Sequence, residues 1–293
     1  MTDPAKTAAT EAPAMPPLLN RNNLLTIAGI VAALWLIAAV SGSLVVTVII
    51  GVLTLVILGG MAYVWRLARK QQNVLAILQS GAGSPEARKA ALAQLAKGDD
   101  KDVLNRIARA QLEAQDDPDK ALVTLESIDL AKVPAGAADE VRTFRAQMYL
   151  GKGRLPEART LADQIRLANA SNAASRAMMT AVVAEAWART DKAEPALVLL
   201  NDVKFGDPEV APVRIPLIMA RIFAHYGAGK REKARKDLEL LMKDNYQYLG
   251  RFTMPGQRVH PELQMIAQEV LKSHPDVKRM AKQQQSQAFR RVR

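Results

Sequence analysis

Cysteine, histidine and clustered carboxylates build most catalytic and metal sites, and this chain offers few of them. It has no cysteine, which excludes a thiolate nucleophile and a thiolate metal ligand. None of its three histidines, His225, His260 and His274, has a second histidine at ligand spacing. The sequence contains no phosphate-binding loop, dinucleotide-binding glycine motif or nucleophile elbow. We therefore expect no catalytic residue, no cofactor and no metal site.

The remaining chemical candidates have structural interpretations. Asp116, Asp117 and Asp119 cluster at a predicted helix start, where the helix dipole favours negative charge. His225 lies in "FAHYGAG" at a predicted helix end, where it can stabilise the last carbonyls; a ligand or base is the alternative role. The functional prediction therefore depends on the elements that hydropathy and periodicity define.

Two apolar runs dominate the N-terminal part of the chain. Residues 24–65 carry no charged side chain and are divided by Ser41, Gly42 and Ser43. Helices over 24–40 and 44–65 would be about 25 Å and 33 Å long, against a hydrocarbon layer of about 30 Å. Because Ser-Gly-Ser favours a turn, we predict a transmembrane hairpin over 24–66, with crossings at 24–40 and 44–65, a turn at 41–43 and a disordered segment at 1–23. A cleaved signal peptide is the alternative for the first run.

Basic residues predict the orientation of the hairpin in the membrane. Arg21 precedes the first run, Arg66, Arg69 and Lys70 follow the second, and the turn is uncharged. Lys and Arg near membrane ends stay on the cytoplasmic side. We therefore predict a multi-pass protein of a bacterial-type inner membrane, with both termini cytoplasmic.

The chain after residue 70 predicts an all-α fold, because its apolar residues recur at intervals of three and four. We expect juxtamembrane helices at 67–98 and an α-solenoid with a closing helix at 99–275. Segments beginning "DPDKAL", "GRLPEA", "DKAEPA" and "GKREKA" align on Ala121, Ala158, Ala196 and Ala234, at intervals of 37, 38 and 38 residues. A fixed period of this size is typical of repeated helix pairs.

These units resemble tetratricopeptide repeats. Ala146, Tyr149, Gly153 and Ala158 stand where that family has a small, an aromatic, a turn and a small residue. The resemblance covers about residues 100–250, with a period longer than the family's usual 34. It implies that one set of residues packs the repeats together: Ala121, Ala146, Tyr149, Ala158, Ala184, Trp187, Ala196 and Ala234. A hairpin ahead of cytoplasmic repeats also resembles the layout of membrane proteins associated with haem biosynthesis, although their far-side loop is longer.

The tetratricopeptide register implies a protein-binding groove lined by the first helix of each repeat. Its candidate residues are Arg106, Glu140, Gln147, Met178, Glu185, Met219, Phe223 and Tyr226. The alternative for Met219 and Phe223 is a position in the core. After the repeats, a helix from about Pro261 to Lys272 is expected to close the solenoid, with Tyr246, Tyr248 and Phe252 as an apolar plug.

The tail, 276–293, is basic, rich in glutamine and predicted to be disordered. It holds six basic residues against one acidic residue, and it could solubilise the protein, contact anionic lipid or contact nucleic acid. The whole sequence favours a membrane-anchored adaptor or scaffold that binds proteins without catalysis. The alternatives are an accessory factor of a membrane-bound biosynthetic enzyme or pathway, and a nucleic-acid or ribosome tether acting through the tail.

Overall fold

The computed structural model describes residues 44–98, 102–254, 258–275 and 277–279, and the separate helical residues Leu25, Thr26, Gly29, Trp35 and Leu36. Every regular element in this part of the chain is helical, so the all-α prediction is confirmed. The predicted N-terminal segment 1–23 and the predicted turn at Ser41, Gly42 and Ser43 lie outside the described residues, as does most of the predicted tail. The chain divides into two compact units, Met1–Ala108 and Arg109–Arg293.

The first unit is built around α1, Leu44–Gly81, a helix of 38 residues. The next helix, α2, Pro85–Leu95, begins where the Ser84 hydroxyl accepts a hydrogen bond from the Ala87 N–H at 3.1 Å. Ser84 is thus a side-chain N-cap, and Pro85 fits the first turn because its missing N–H would have had no partner there. The second helix packs against α1 and buries Ala91 and Leu95.

The apolar part of α1 leaves large side chains uncovered. Val52, Leu55 and Val56 are 57%, 70% and 68% exposed. The Trp35 indole N–H donates to the Thr54 hydroxyl at 3.3 Å, which brings one residue from each apolar run together. Counted over the residues whose side chains are described, no helix is long and apolar enough to cross a membrane.

Helix pairs build the second unit. After α3, Val103–Asp116, which contains the boundary between the units, the helices are α4 Pro118–Glu126, α5 Ala135–Gly151, α6 Leu155–Ala162, α7 Ala173–Ala188, α8 Ala193–Asn201, α9 Arg214–Gly227, α10 Arg231–Asp244, α11 Gly250–Thr253 and α12 Pro261–Ser273. The pairs α5/α6, α7/α8 and α9/α10 each pack together, and α7 also packs against both α5 and α9. The first helices of successive pairs are therefore neighbours, as in a solenoid.

One turn joins the two helices in each of these three pairs. Gly153, Asp191 and Gly229 have φ angles of +69°, +70° and +72°. The N–H of the following residue in each turn bonds to a carbonyl five residues earlier, at 2.9, 2.9 and 2.8 Å. This pattern is the Schellman motif, in which a residue with positive φ ends a helix. The three turns recur every 38 residues, at the same period as the aligned alanines.

This turn conformation predicts a cost for Gly229→Ala. An added Cβ at Gly229 meets no atom within 4 Å, so the cost is conformational alone. We expect the free energy of unfolding to fall by about 1–2 kcal/mol. Urea unfolding can be followed through Trp187 alone in a Trp35→Phe, Trp65→Phe background, because the chain has three tryptophans. Gly206→Ala is the control, since that glycine is equally open without a positive φ; equal effects at the two positions would contradict the turn.

The aligned alanines lie where the helices approach one another. Ala121, Ala146, Ala158, Ala184, Ala196 and Ala234 are each 0% exposed. Tyr149 is buried, and Trp187 is half-buried against the same core. Small side chains at these positions let neighbouring backbones come close, so larger ones have no space.

Ala196→Trp is therefore expected to lower the free energy of unfolding by about 1–3 kcal/mol through overpacking. The matched control is Val198→Trp, because Val198 lies two residues further along α8 and is 64% exposed. We expect that control to change stability by no more than about 0.5 kcal/mol. Urea unfolding of both variants measures the difference; an unchanged midpoint for Ala196→Trp would show that this position is not a packing contact.

The closing segment, defined as residues 246–254 and 258–275, follows α10. It contains α11 and α12; α12 packs on both α10 and α11. Leu249, Phe252 and Ala267 are 0% exposed. Of the three aromatic residues expected in the plug, Phe252 is fully buried, Tyr248 is 39% exposed, and Tyr246 is half-buried with its ring 4.8 Å from that of His274.

Candidate functional site

The eight residues expected to line a groove lie at different depths. Arg106 is half-buried in α3, within the first unit. Glu140, Gln147, Met178, Met219 and Tyr226 are half-buried on α5, α7 and α9. Glu185 and Phe223, however, are only 7% and 5% exposed. These two residues lie in the interior, which corrects the expectation that they line an open groove.

Glu185 is the centre of a buried ion-pair cluster. Arg189, the residue directly after α7, reaches its carboxylate at 3.0 Å, and Arg251 of α11 pairs with the same oxygen. The Arg189 guanidinium also donates to the carbonyl oxygens of Leu150, at 3.2 Å, and Arg258, at 3.3 Å. Burial lowers the pKa of Arg189, and the charge of Glu185 opposes that shift. The cluster therefore connects the closing segment to α7.

Phe223 is covered by the same segment. Its ring centroid lies 5.2 Å from that of Phe252, at an interplanar angle of 36°, and the Arg189 guanidinium lies 4.7 Å from the Phe223 centroid. Arg251 and Phe252 thus contact the C-terminal halves of α7 and α9. The repeat alignment could not predict this contact, because it depends on where the chain after the last repeat folds back. One chemical signal for the contact is present in the sequence. Arg251 and Phe252 are adjacent, and they complement Glu185 in charge and Phe223 in aromatic character.

Tyr226 extends the contact to the start of α12. Its hydroxyl donates to Glu262 Oε2 at 3.0 Å, and its ring lies 5.3 Å from that of His260. The imidazole of His260 accepts the Glu262 N–H at 3.2 Å and caps α12. A hydrogen bond from Arg231 is the main cause that lowers the pKa of Glu262, whereas burial raises the pKa of Tyr226. Tyr226 therefore makes these contacts within the chain.

Arg258 of the closing segment contacts the turn between α5 and α6. Its side chain lies over Gly153, where an added Cβ would be 2.2 Å from the Arg258 Cδ. Its Nη1 donates to the Gly153 carbonyl at 3.3 Å. Glycine is therefore required at this turn for close approach as well as for its positive φ. Beside these contacts lies a cleft of about 550 Å³, whose lining includes Leu155, Arg189, Tyr226, Arg258 and His260.

The closing segment leaves another part of the first-helix face accessible. Glu140, Gln147 and Met178 are half-buried and belong to α5 and the N-terminal half of α7. Burial raises the pKa of Glu140, and a hydrogen bond from the Ser171 hydroxyl at 3.4 Å opposes the rise. Glu140 and Gln147 make this surface mainly polar.

Three further acidic side chains are buried in the second unit, and each is paired with an arginine. The pairs are Glu113 with Arg109 at 3.0 Å, Asp139 with Arg142 at 2.7 Å, and Asp237 with Arg221 at 2.7 Å. His225 Nδ1 lies 2.8 Å from Asp237 Oδ2, so this histidine contacts α10 through its side chain, in contrast to its expected role at helix carbonyls. Sequence reasoning missed these pairs, because no motif separates a buried acid from a solvated one.

Among the described residues, no group of three or more histidine, aspartate or glutamate side chains is arranged to hold a metal ion. No protein-family model matches the chain, and no curated protein matches it in sequence.

Proposed function

We propose that this protein is a membrane-anchored, tetratricopeptide-like scaffold that binds other proteins at the cytoplasmic face of a bacterial-type inner membrane. The observation that carries the anchor is the row of exposed apolar side chains Val52, Leu55 and Val56 on α1. Such a row is unfavourable in water and is favoured in contact with lipid. In the full sequence, residues 44–65 carry no charge, and a helix over them would extend about 33 Å, against a hydrocarbon layer of about 30 Å.

The contact between Trp35 and Thr54 supports a hairpin. Trp35 lies six residues before Ser41 and Thr54 lies eleven residues after Ser43. Antiparallel helices joined at that turn would put the two residues on neighbouring helices, with an axial offset of about 7.5 Å between their backbone positions. A hydrogen bond between two apolar runs also satisfies an indole N–H that has no water partner in hydrocarbon.

Protein binding is supported by the repeated helix pairs of the second unit. Stacked pairs present a continuous face of first helices, and solenoids use such faces for partners. The closing segment covers Glu185, Phe223 and Tyr226 on this face. We therefore propose that a partner contacts the accessible part, around Glu140, Gln147 and Met178. A membrane-bound enzyme is one class of partner that this arrangement would serve.

A photo-cross-linking amino acid at Gln147 tests the proposed surface in the full chain. We expect discrete protein adducts from Gln147 in membranes of the cells that produce the protein. The matched control is the same substitution at Val198, which is 64% exposed on the second helix of its repeat. Adducts from Val198 with none from Gln147 would show that the partner binds a different surface. Adducts from neither position would contradict a scaffold role.

A further inference from the structure

We propose that Arg66, Arg69 and Lys70 form a collar on α1 that binds the headgroup phosphate of an anionic phospholipid. This inference rests on the proposed membrane anchor and adds a lipid preference to it. The three residues begin directly after Trp65, the last residue of the uncharged run. The 38-residue helix contains no acidic side chain, so nothing within α1 neutralises the collar.

The axial positions of the three residues match the headgroup layer. Since α1 continues unbroken to Gly81, Arg66, Arg69 and Lys70 lie about 1.5, 6 and 7.5 Å beyond Trp65 along the helix. The polar layer on each side of a bilayer is about 5–7.5 Å thick, from the difference between the total and hydrocarbon thicknesses. All three Cα atoms would therefore lie at the depth of the phosphates when Trp65 lies at the edge of the hydrocarbon.

The collar also occupies one side of the helix. At about 100° per residue, Arg66, Arg69 and Lys70 fall within an arc of about 100°. Arg66 and Arg69 are exposed, and the Arg69 guanidinium lies 5.3 Å from the centroid of the Trp65 ring. This cation–π contact holds Arg69 beside the interfacial tryptophan. One headgroup could thus meet more than one cation without rearrangement of the backbone.

The number of basic residues in the collar sets the size of the expected preference for anionic lipid. Each basic residue near an anionic surface strengthens the attraction about fivefold. The competing outcome is a collar that only orients the helix and contacts zwitterionic and anionic headgroups equally. The two outcomes differ in which lipids surround Trp65, and Trp65 can report on this directly because it is 53% exposed.

The test uses the full chain with Trp35→Phe and Trp187→Phe, so that Trp65 is the single tryptophan. It is reconstituted in bilayers of phosphatidylcholine and phosphatidylglycerol, with bromine on the acyl chains of one lipid at a time. We expect brominated phosphatidylglycerol to quench Trp65 severalfold more than its share of the lipid predicts. Arg66→Gln with Arg69→Gln should remove most of that excess, and high salt should reduce it.

Lys89→Gln is the matched control, because Lys89 is an exposed cation on α2 rather than on the collar. It should leave the excess quenching unchanged. Quenching in proportion to lipid composition would overturn the lipid preference while leaving the anchor intact. Absence of quenching by either brominated lipid would instead overturn the membrane anchor itself.

Discussion

Phe252→Ala is expected to lower the free energy of unfolding of the repeat unit by about 3–5 kcal/mol. Phe252 is 0% exposed and its ring contacts that of Phe223, so the substitution removes a large side chain from a filled site. It also removes the contact through which α11 covers α9. Urea unfolding of the full chain, followed by the fluorescence of Trp187 as the single tryptophan, measures the change.

Met265→Ala is the control for this prediction. Met265 belongs to the same closing segment but is 58% exposed, so its truncation leaves little cavity. We expect a change within about 0.5 kcal/mol. If Phe252→Ala were no more destabilising than Met265→Ala, the closing segment would not be an integral part of the repeat unit, and the expected groove would be open.

Glu185→Gln is also expected to lower the free energy of unfolding by about 3–5 kcal/mol, because removal of one partner leaves a buried charge uncompensated. The guanidinium of Arg189 is 6% exposed and loses the carboxylate that lies 3.0 Å away. Arg251 loses its contact with α7 at the same time. The same urea titration gives the free energy change, and the isosteric amide keeps the change in volume small.

The control is Glu194→Gln, whose pair with Lys230 is exposed at 63% and 38%. Exposed ion pairs contribute about 0–1 kcal/mol, so little loss is expected. Combining Glu185→Gln with Arg189→Gln should recover part of the stability, because the double variant also removes the buried guanidinium that the single variant leaves uncompensated. A Glu185→Gln variant as stable as Glu194→Gln would contradict the buried cluster.

Local features of the repeats are readable from the sequence because local chemistry determines them. A small residue is needed where two helices meet, and a residue that tolerates positive φ is needed where a helix ends in a Schellman turn. Ala196 and Gly229 show these two requirements at the same 38-residue period. Asp191 occupies the same turn position with nearly the same φ angle, so the position matters more than the glycine.

The sequence did not predict that a later segment contacts the candidate groove residues. Glu185 lies on α7, Phe223 and Tyr226 lie on α9, and each contacts the closing segment. Their burial depends on a segment that follows the repeats and folds back, and periodicity carries no information about such a contact. The buried pair of Asp237 with Arg221 was missed for the same reason, since these two residues lie on different helices. Asp139 and Arg142 are one turn apart on α5, and what the sequence did not show is that Asp139 is buried.

Cysteine accessibility tests the proposed membrane hairpin most directly, because the chain has no cysteine of its own. Ser43→Cys and Lys204→Cys, made separately, put one thiol in the predicted turn and one in an exposed loop of the repeat unit. The hairpin predicts that a membrane-impermeant maleimide labels Ser43→Cys in intact spheroplasts and labels Lys204→Cys only after lysis. Labelling of Lys204→Cys in intact spheroplasts, or release of the protein from membranes by alkaline carbonate, would contradict it.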